Sequence, residues 1–98
     1  MKKEHLKNKK IRRHLFIKGM VQGIGYRYFT KRQAVRLKVS GWVKNLDNGN
    51  VEAVFEGEEE KVKQMINYCR HGPPLARVDG MNIKKESCQQ EKEFVILK

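Results

Sequence analysis

The sequence predicts an α+β sandwich of the ferredoxin-like kind: an antiparallel sheet with two helices on one face, in the order β-α-β-β-α-β. Three observations predict it. Two stretches with helical apolar spacing, residues 26–38 and 57–70, alternate with short β-rich runs. A turn signal, "DNGN", joins the two runs that lie between those helices. The chain has 98 residues, 39% of them hydrophobic, which suits one domain with a single modest core.

Taken in order, residues 1–10 read as a disordered basic extension and residues 11–98 as the domain. "HLFIKG" (14–19) is an apolar run closed by glycine, as expected of a buried strand. In "YRYFTKRQAVRLK" (26–38), Tyr26, Phe29, Thr30, Gln33 and Leu37 form an inward stripe, and Lys31, Arg32 and Arg36 a basic outer face. "VSGWVKNL" (39–46) and "VEAVFEG" (51–57) flank the turn and predict an antiparallel hairpin. "GEEEKVKQMINYCR" (57–70) has acidic residues in its first turn and Arg70 in its last, which suits the helix dipole. Val62, Met65, Ile66 and Cys69 are its inward stripe, and Gly72, Pro73 and Pro74 end it. "RVDGMNIKK" (77–85) and "EFVILK" (93–98) supply the last strand and a short terminal one.

The formal charge is +11, and residues 1–14 carry +6 of it, seven Lys or Arg against one Glu. That balance favours anionic partners without naming one. Cys69, Cys88, His5, His14 and His71 have no metal-ligand or disulfide-framework spacing, so no metal and no organic cofactor are expected. The N-terminus lacks the apolar stretch of a secretory signal, and no run approaches the ~18 apolar residues that span a bilayer. The expectation is a soluble, cytoplasmic monomer with free thiols and no membrane partner.

"KGMVQGIGYR" (18–27) holds three of the eight glycines between a strand end and a helix start. Glycine permits positive φ and lets a ligand approach the backbone. Successive N–H groups there, with the positive end of the helix dipole, can converge on an oxyanion. Arg27, in the first helical turn, can close over the same anion with paired donors. Read alone, the stretch also fits a tight strand-to-helix turn with a surface arginine. It lacks the Lys-Ser/Thr ending of an ATP-binding loop and the parallel βαβ unit of a dinucleotide site.

Three motifs go further. "GMVQGIGYR" (19–27), "GWVKNLDNGNV" (41–51) and "GPPLARV" (72–78) stand in the order and spacing of signatures of the acylphosphatase family, which the chain resembles over residues 11–97. The resemblance implies hydrolysis of small acyl phosphates to carboxylate and inorganic phosphate. It also implies that Arg27 and Asn45 are the catalytic residues. Arg27 would bind the phosphoryl oxygens with the backbone amides of Val21, Gln22, Gly23, Ile24, Gly25 and Tyr26, and Asn45 would orient the water. One departure stands out: Lys38 occupies a position after the first helix where the family commonly has glycine, so a left-handed cap there would carry strain.

The chemistry agrees with that implication. A carboxylate leaving group has a conjugate acid of pKa about 4, so no dedicated general acid is needed. Positioning dominates phosphoryl transfer, and an asparagine orients water without setting a negative charge beside an anion. Asn45 alone also reads as a polar residue next to a turn. The main rival is RNA binding, because "QGIGYRYF" (22–29) superficially resembles an RNP1 strand. Gln22, Ile24 and Arg27 miss its key positions, and the segment leads into a helix, so nucleic acid is disfavoured. A non-catalytic phosphate-binding module is the other alternative.

Overall fold

A computed structural model of the chain describes residues 9–98. Five strands and two helices follow in order: β1 (Lys10–Met20), α1 (Tyr26–Leu37), β2 (Ser40–Asn45), β3 (Val51–Glu58), α2 (Glu59–His71), β4 (Arg77–Glu86) and β5 (Phe94–Ile96). The sheet order is β4-β1-β3-β2-β5. The first four strands pair antiparallel, including the β2–β3 hairpin with Asn45 opposite Val51. One expectation is corrected: the sheet is mixed, because β5 pairs parallel with β2. The reason lies in residues 87–93, which reverse the chain across the sheet's open face and deliver it to the far edge of β2.

β1 starts four residues before the apolar run, and the delay in the sequence signal is physical. Ile11, Leu15 and Ile17 face the helices and are buried, whereas Arg12, His14 and Phe16 alternate onto the other face. Basic residues there mask the period-two pattern. The basic extension expected over 1–10 falls largely outside the described residues; Lys9 accepts a hydrogen bond from the Glu59 amide at 2.9 Å, and Lys10 opens β1.

Both helices lie over one face of the sheet, α1 on β2 and β5, α2 on β1, β3 and β4. Val62, Met65 and Cys69 carry the buried stripe of α2, as expected, while Ile66 of the same stripe is only partly buried against the core. In α1 the buried residues are Tyr26, Thr30, Ala34 and Leu37. Phe29 and Gln33 are only half-buried and Ala34 takes the inward position, since small Ala34 sits where the helix meets the core. The sheet's contribution comes from Leu15, Ile17, Val43, Val51, Ala53, Phe55 and Phe94. The thiol of Cys69 is fully buried there, and burial pushes it up to about 12. Cys88 is exposed and also free.

Lys38 caps α1 in the left-handed region, φ 61° and ψ 41°, with its N–H turned back to the carbonyls of Ala34 and Val35. An L side chain there costs ~1 kcal/mol relative to glycine. Lys38→Gly is therefore expected to raise the thermal midpoint by about 4–8 °C, the shift expected for ~1 kcal/mol in a domain of this size. A circular-dichroism melt checks it, and an unchanged midpoint rejects the strain.

The open face of the sheet carries an ionic cluster. Buried Arg12 donates to Glu56 at 2.9 Å, Glu86 at 2.8 Å and Glu91 at 2.9 Å, and His14 lies 2.6 Å from Glu52 and 2.7 Å from Glu86. The amides of Gln89 and Gln90 donate to Glu56, tying the crossing segment down. Hydrogen bonds from Arg12 and then His14 hold the Glu86 carboxyl below its ordinary range. Burial would raise Glu56, but the amide of Gln89, Arg12 and the amide of Gln90 together hold it below its ordinary range. Both groups are lowered in the fold, so the unfolded chain takes up protons first as pH falls. Their stabilisation is complete above the unfolded value of ~4.3 and is lost as pH drops through the lower native values. The urea midpoint is expected to fall below about pH 4, and to fall less steeply in Glu86→Gln.

Candidate active site

The site forms where β1 ends, α1 begins and β2 reaches its hairpin. Gly23 and Gly25 adopt φ 78° and 81°, conformations that L side chains resist, and a Cβ on either would meet nothing within 4 Å. The loop backbone therefore borders open space. Gly25 is the N-cap of α1 in the left-handed region and offers no side chain to the helix's first amides. Among the described residues, the amides of residues 22–25 donate to no protein acceptor in the turns and loops. An N-terminal helix turn left bare in this way carries uncompensated N–H dipoles.

Two buried side chains fix this loop from below. Val21 is almost fully buried in the core. Tyr26, also buried, donates its hydroxyl to the Cys69 carbonyl at 2.6 Å, and burial holds the phenol well above its ordinary value. The start of α1 is thereby pinned to the end of α2. A ring held this way cannot stack on a base, which removes the aromatic platform an RNP1-like reading needs.

A cavity of about 220 Å³ opens above the loop, lined by Val21, Gly23, Gly25, Tyr26, Arg27, Tyr28 and Asn45. It brings together the two residues singled out in the sequence, Arg27 from α1 and Asn45 from the end of β2. Arg27 is the second residue of α1 and half-buried, and it joins none of the ion pairs formed among the described residues. Asn45 ends β2 on the same face as buried Val43. Its Oδ1 is buried with no hydrogen-bond partner among the described residues. An unpaired buried acceptor costs ~1–3 kcal/mol, a penalty that a donating water relieves.

The predicted role of Gln22 was its backbone. Its side chain does something the sequence signal did not disclose: Nε2 donates to the carbonyls of Leu46 at 2.8 Å and Asn50 at 2.7 Å. Those carbonyls bracket the hairpin turn beyond Asn45, so one amide straps the glycine loop to the strand end. Ile24 packs against the core from the loop's other side. Tyr28 lines the cavity too and was not foreseen; it is 74% exposed. A larger concavity of about 570 Å³ runs along Tyr28, Lys31, Arg32, Val35 and Arg36. Every one of those residues belongs to α1, so it is a furrow between neighbouring side chains of one helix and assembles no site.

Fold and cavity define a class: a small α/β-sandwich protein with a glycine-floored, arginine-lined pocket at the mouth of its first helix. Within that class the chain belongs to the acylphosphatase family, whose model matches residues 13–96. The acylphosphatase of Geotalea uraniireducens (strain Rf4) is 51% identical over 76 residues, covering 78% of this chain and 84% of that protein. The acylphosphatase of Thermococcus kodakarensis (strain ATCC BAA-918 / JCM 12380 / KOD1) is 45% identical over 89 residues, 91% of this chain and 98% of that one. Among solved structures, the acylphosphatase from Bacillus subtilis superposes with a TM-score of 0.87 at 31% identity, covering 90% of this chain and 99% of that chain.

Proposed function

We propose that this enzyme hydrolyses the carboxyl–phosphate bond of small acyl phosphates, with Arg27 and the loop amides holding the phosphoryl group and Asn45 orienting the water. The observation that carries the reading is the single cavity shared by Arg27, Asn45 and the two positive-φ glycines. The phosphoryl dianion docks against the bare amides of residues 21–26 and the guanidinium of Arg27, which are preorganised for it. Water enters with one proton directed at Oδ1 of Asn45 and its lone pair at phosphorus. As the P–O bond to the acyl oxygen breaks, that oxygen keeps the bonding electrons and leaves as carboxylate. The water's protons pass to solvent and to inorganic phosphate, so no side chain serves as acid.

No helix among the described residues is long and apolar enough to cross a membrane. We read the domain as residues 11–98, with β1 opening one residue earlier at Lys10, acting as a monomer in the cytoplasm, with the residues before it as a basic extension outside the catalytic unit. The two free thiols support a reducing compartment. Phosphate release from acetyl phosphate tests the reading against a non-catalytic anion-binding module: the enzyme turns over repeatedly, whereas the module binds phosphate and releases none.

A further inference from the structure

A second cavity of about 290 Å³ adjoins the first and is lined by Arg27, Tyr28, Ile96 and Lys98. The two share Arg27 and Tyr28 and differ in that Asn45 lines only the first. In phosphoryl transfer the attacking and leaving oxygens are roughly in line. The acyl group must therefore depart away from the water at Asn45, and the Arg27–Tyr28 wall opens into this second space. Strand β5 supplies the far side. Ile96 lies opposite Val43 in parallel register, with the Leu97 amide donating to the Val43 carbonyl at 2.9 Å. Lys98, two residues beyond the strand's end, lines the same cavity.

The chemistry of the lining is mixed in a specific way. Tyr28 and Ile96 offer apolar surface, and Lys98 brings an ammonium that is engaged in no ion pair among the described residues. Arg27 is committed to the phosphoryl group, so the lysine charge is left for the other end of the substrate. We propose that Tyr28, Ile96 and Lys98 form the acyl subsite, and that Lys98 selects acyl groups ending in a negative charge. This rests on the hydrolytic reading above and adds to it the substrate class.

The test compares succinyl phosphate, which ends in a carboxylate, with butyryl phosphate, its uncharged counterpart, and with acetyl phosphate, too short to reach Lys98. At low ionic strength the wild type has a higher kcat/KM for the succinyl than for the butyryl compound. Lys98→Met lowers that ratio about three- to fivefold, the size of one exposed ion pair, and Lys98→Glu lowers it further. Added salt shrinks the wild-type preference in the same direction. A ratio unchanged by both substitutions overturns the subsite while leaving the hydrolytic reading intact. Hydrolysis of none of the three compounds by folded wild type overturns the hydrolytic reading itself, and the subsite with it.

Discussion

Replacing Arg27 with alanine is expected to lower kcat/KM for acetyl phosphate by at least 10²–10³-fold, the usual cost of one preorganised donor at a developing charge, while the protein stays folded. Arg27 is half-buried on the outer side of the first turn of α1 and takes part in no ion pair among the described residues, so the fold does not lean on it. The loss falls on the phosphoryl group instead. Backbone amides remain after the substitution, but they carry partial charges only, and the planar pair of guanidinium donors is gone. Arg27→Lys keeps the charge as a point and loses the fork, so it should recover part of the binding and little of the rate. Colorimetric phosphate release, with circular dichroism on each variant, measures this. Activity within tenfold of wild type in folded Arg27→Ala rejects the assigned role.

Asn45→Ala should also cost on the order of 10²–10³, but in a different parameter. In the proposed mechanism Asn45 holds the nucleophile and not the phosphoryl group, so kcat is expected to fall while KM changes little. The variant should fold at least as well as wild type, because removing the side chain removes an unpaired buried oxygen. Asn45→Asp separates geometry from charge. It nearly preserves the shape yet sets a carboxylate beside the phosphoryl dianion, so KM rises and kcat stays low. A KM unchanged in Asn45→Asp would mean that the group at position 45 does not face the substrate.

Much of this architecture was legible in the sequence, and the failures share a cause. The helices, the hairpin and the glycine loop announce themselves by local periodicity or by turn residues, each within a dozen positions. Arg12 and His14 concealed the first half of β1 because their charges are satisfied by carboxylates 38 to 79 residues away. The parallel pairing of β5 depends on the route of residues 87–93, which the amides of Gln89 and Gln90 anchor to Glu56. Nothing in "EFVILK" encodes which strand edge it will meet. At the site, Arg27 and Asn45 were marked by the family resemblance, since Asn45 alone reads as a polar residue beside a turn, whereas the Gln22 strap needed the loop and the hairpin to be side by side first. Polar side chains whose partners are distant in the chain leave no pattern of their own.

The order β4-β1-β3-β2-β5 has a kinetic consequence. The earliest strand lies inside the sheet, one place from its edge, yet its two neighbours are made from residues 51–58 and 77–86. On the ribosome, Leu15 and Ile17 emerge early and wait for partners made from the middle and the last quarter of the chain. The pairing of β1 is completed only once residues 77–86 have been made, and the high sequence separation of its contacts slows the search toward milliseconds or longer. Until β4 arrives, that apolar strand keeps an unpaired edge, and the nascent chain is most vulnerable to self-association at this stage.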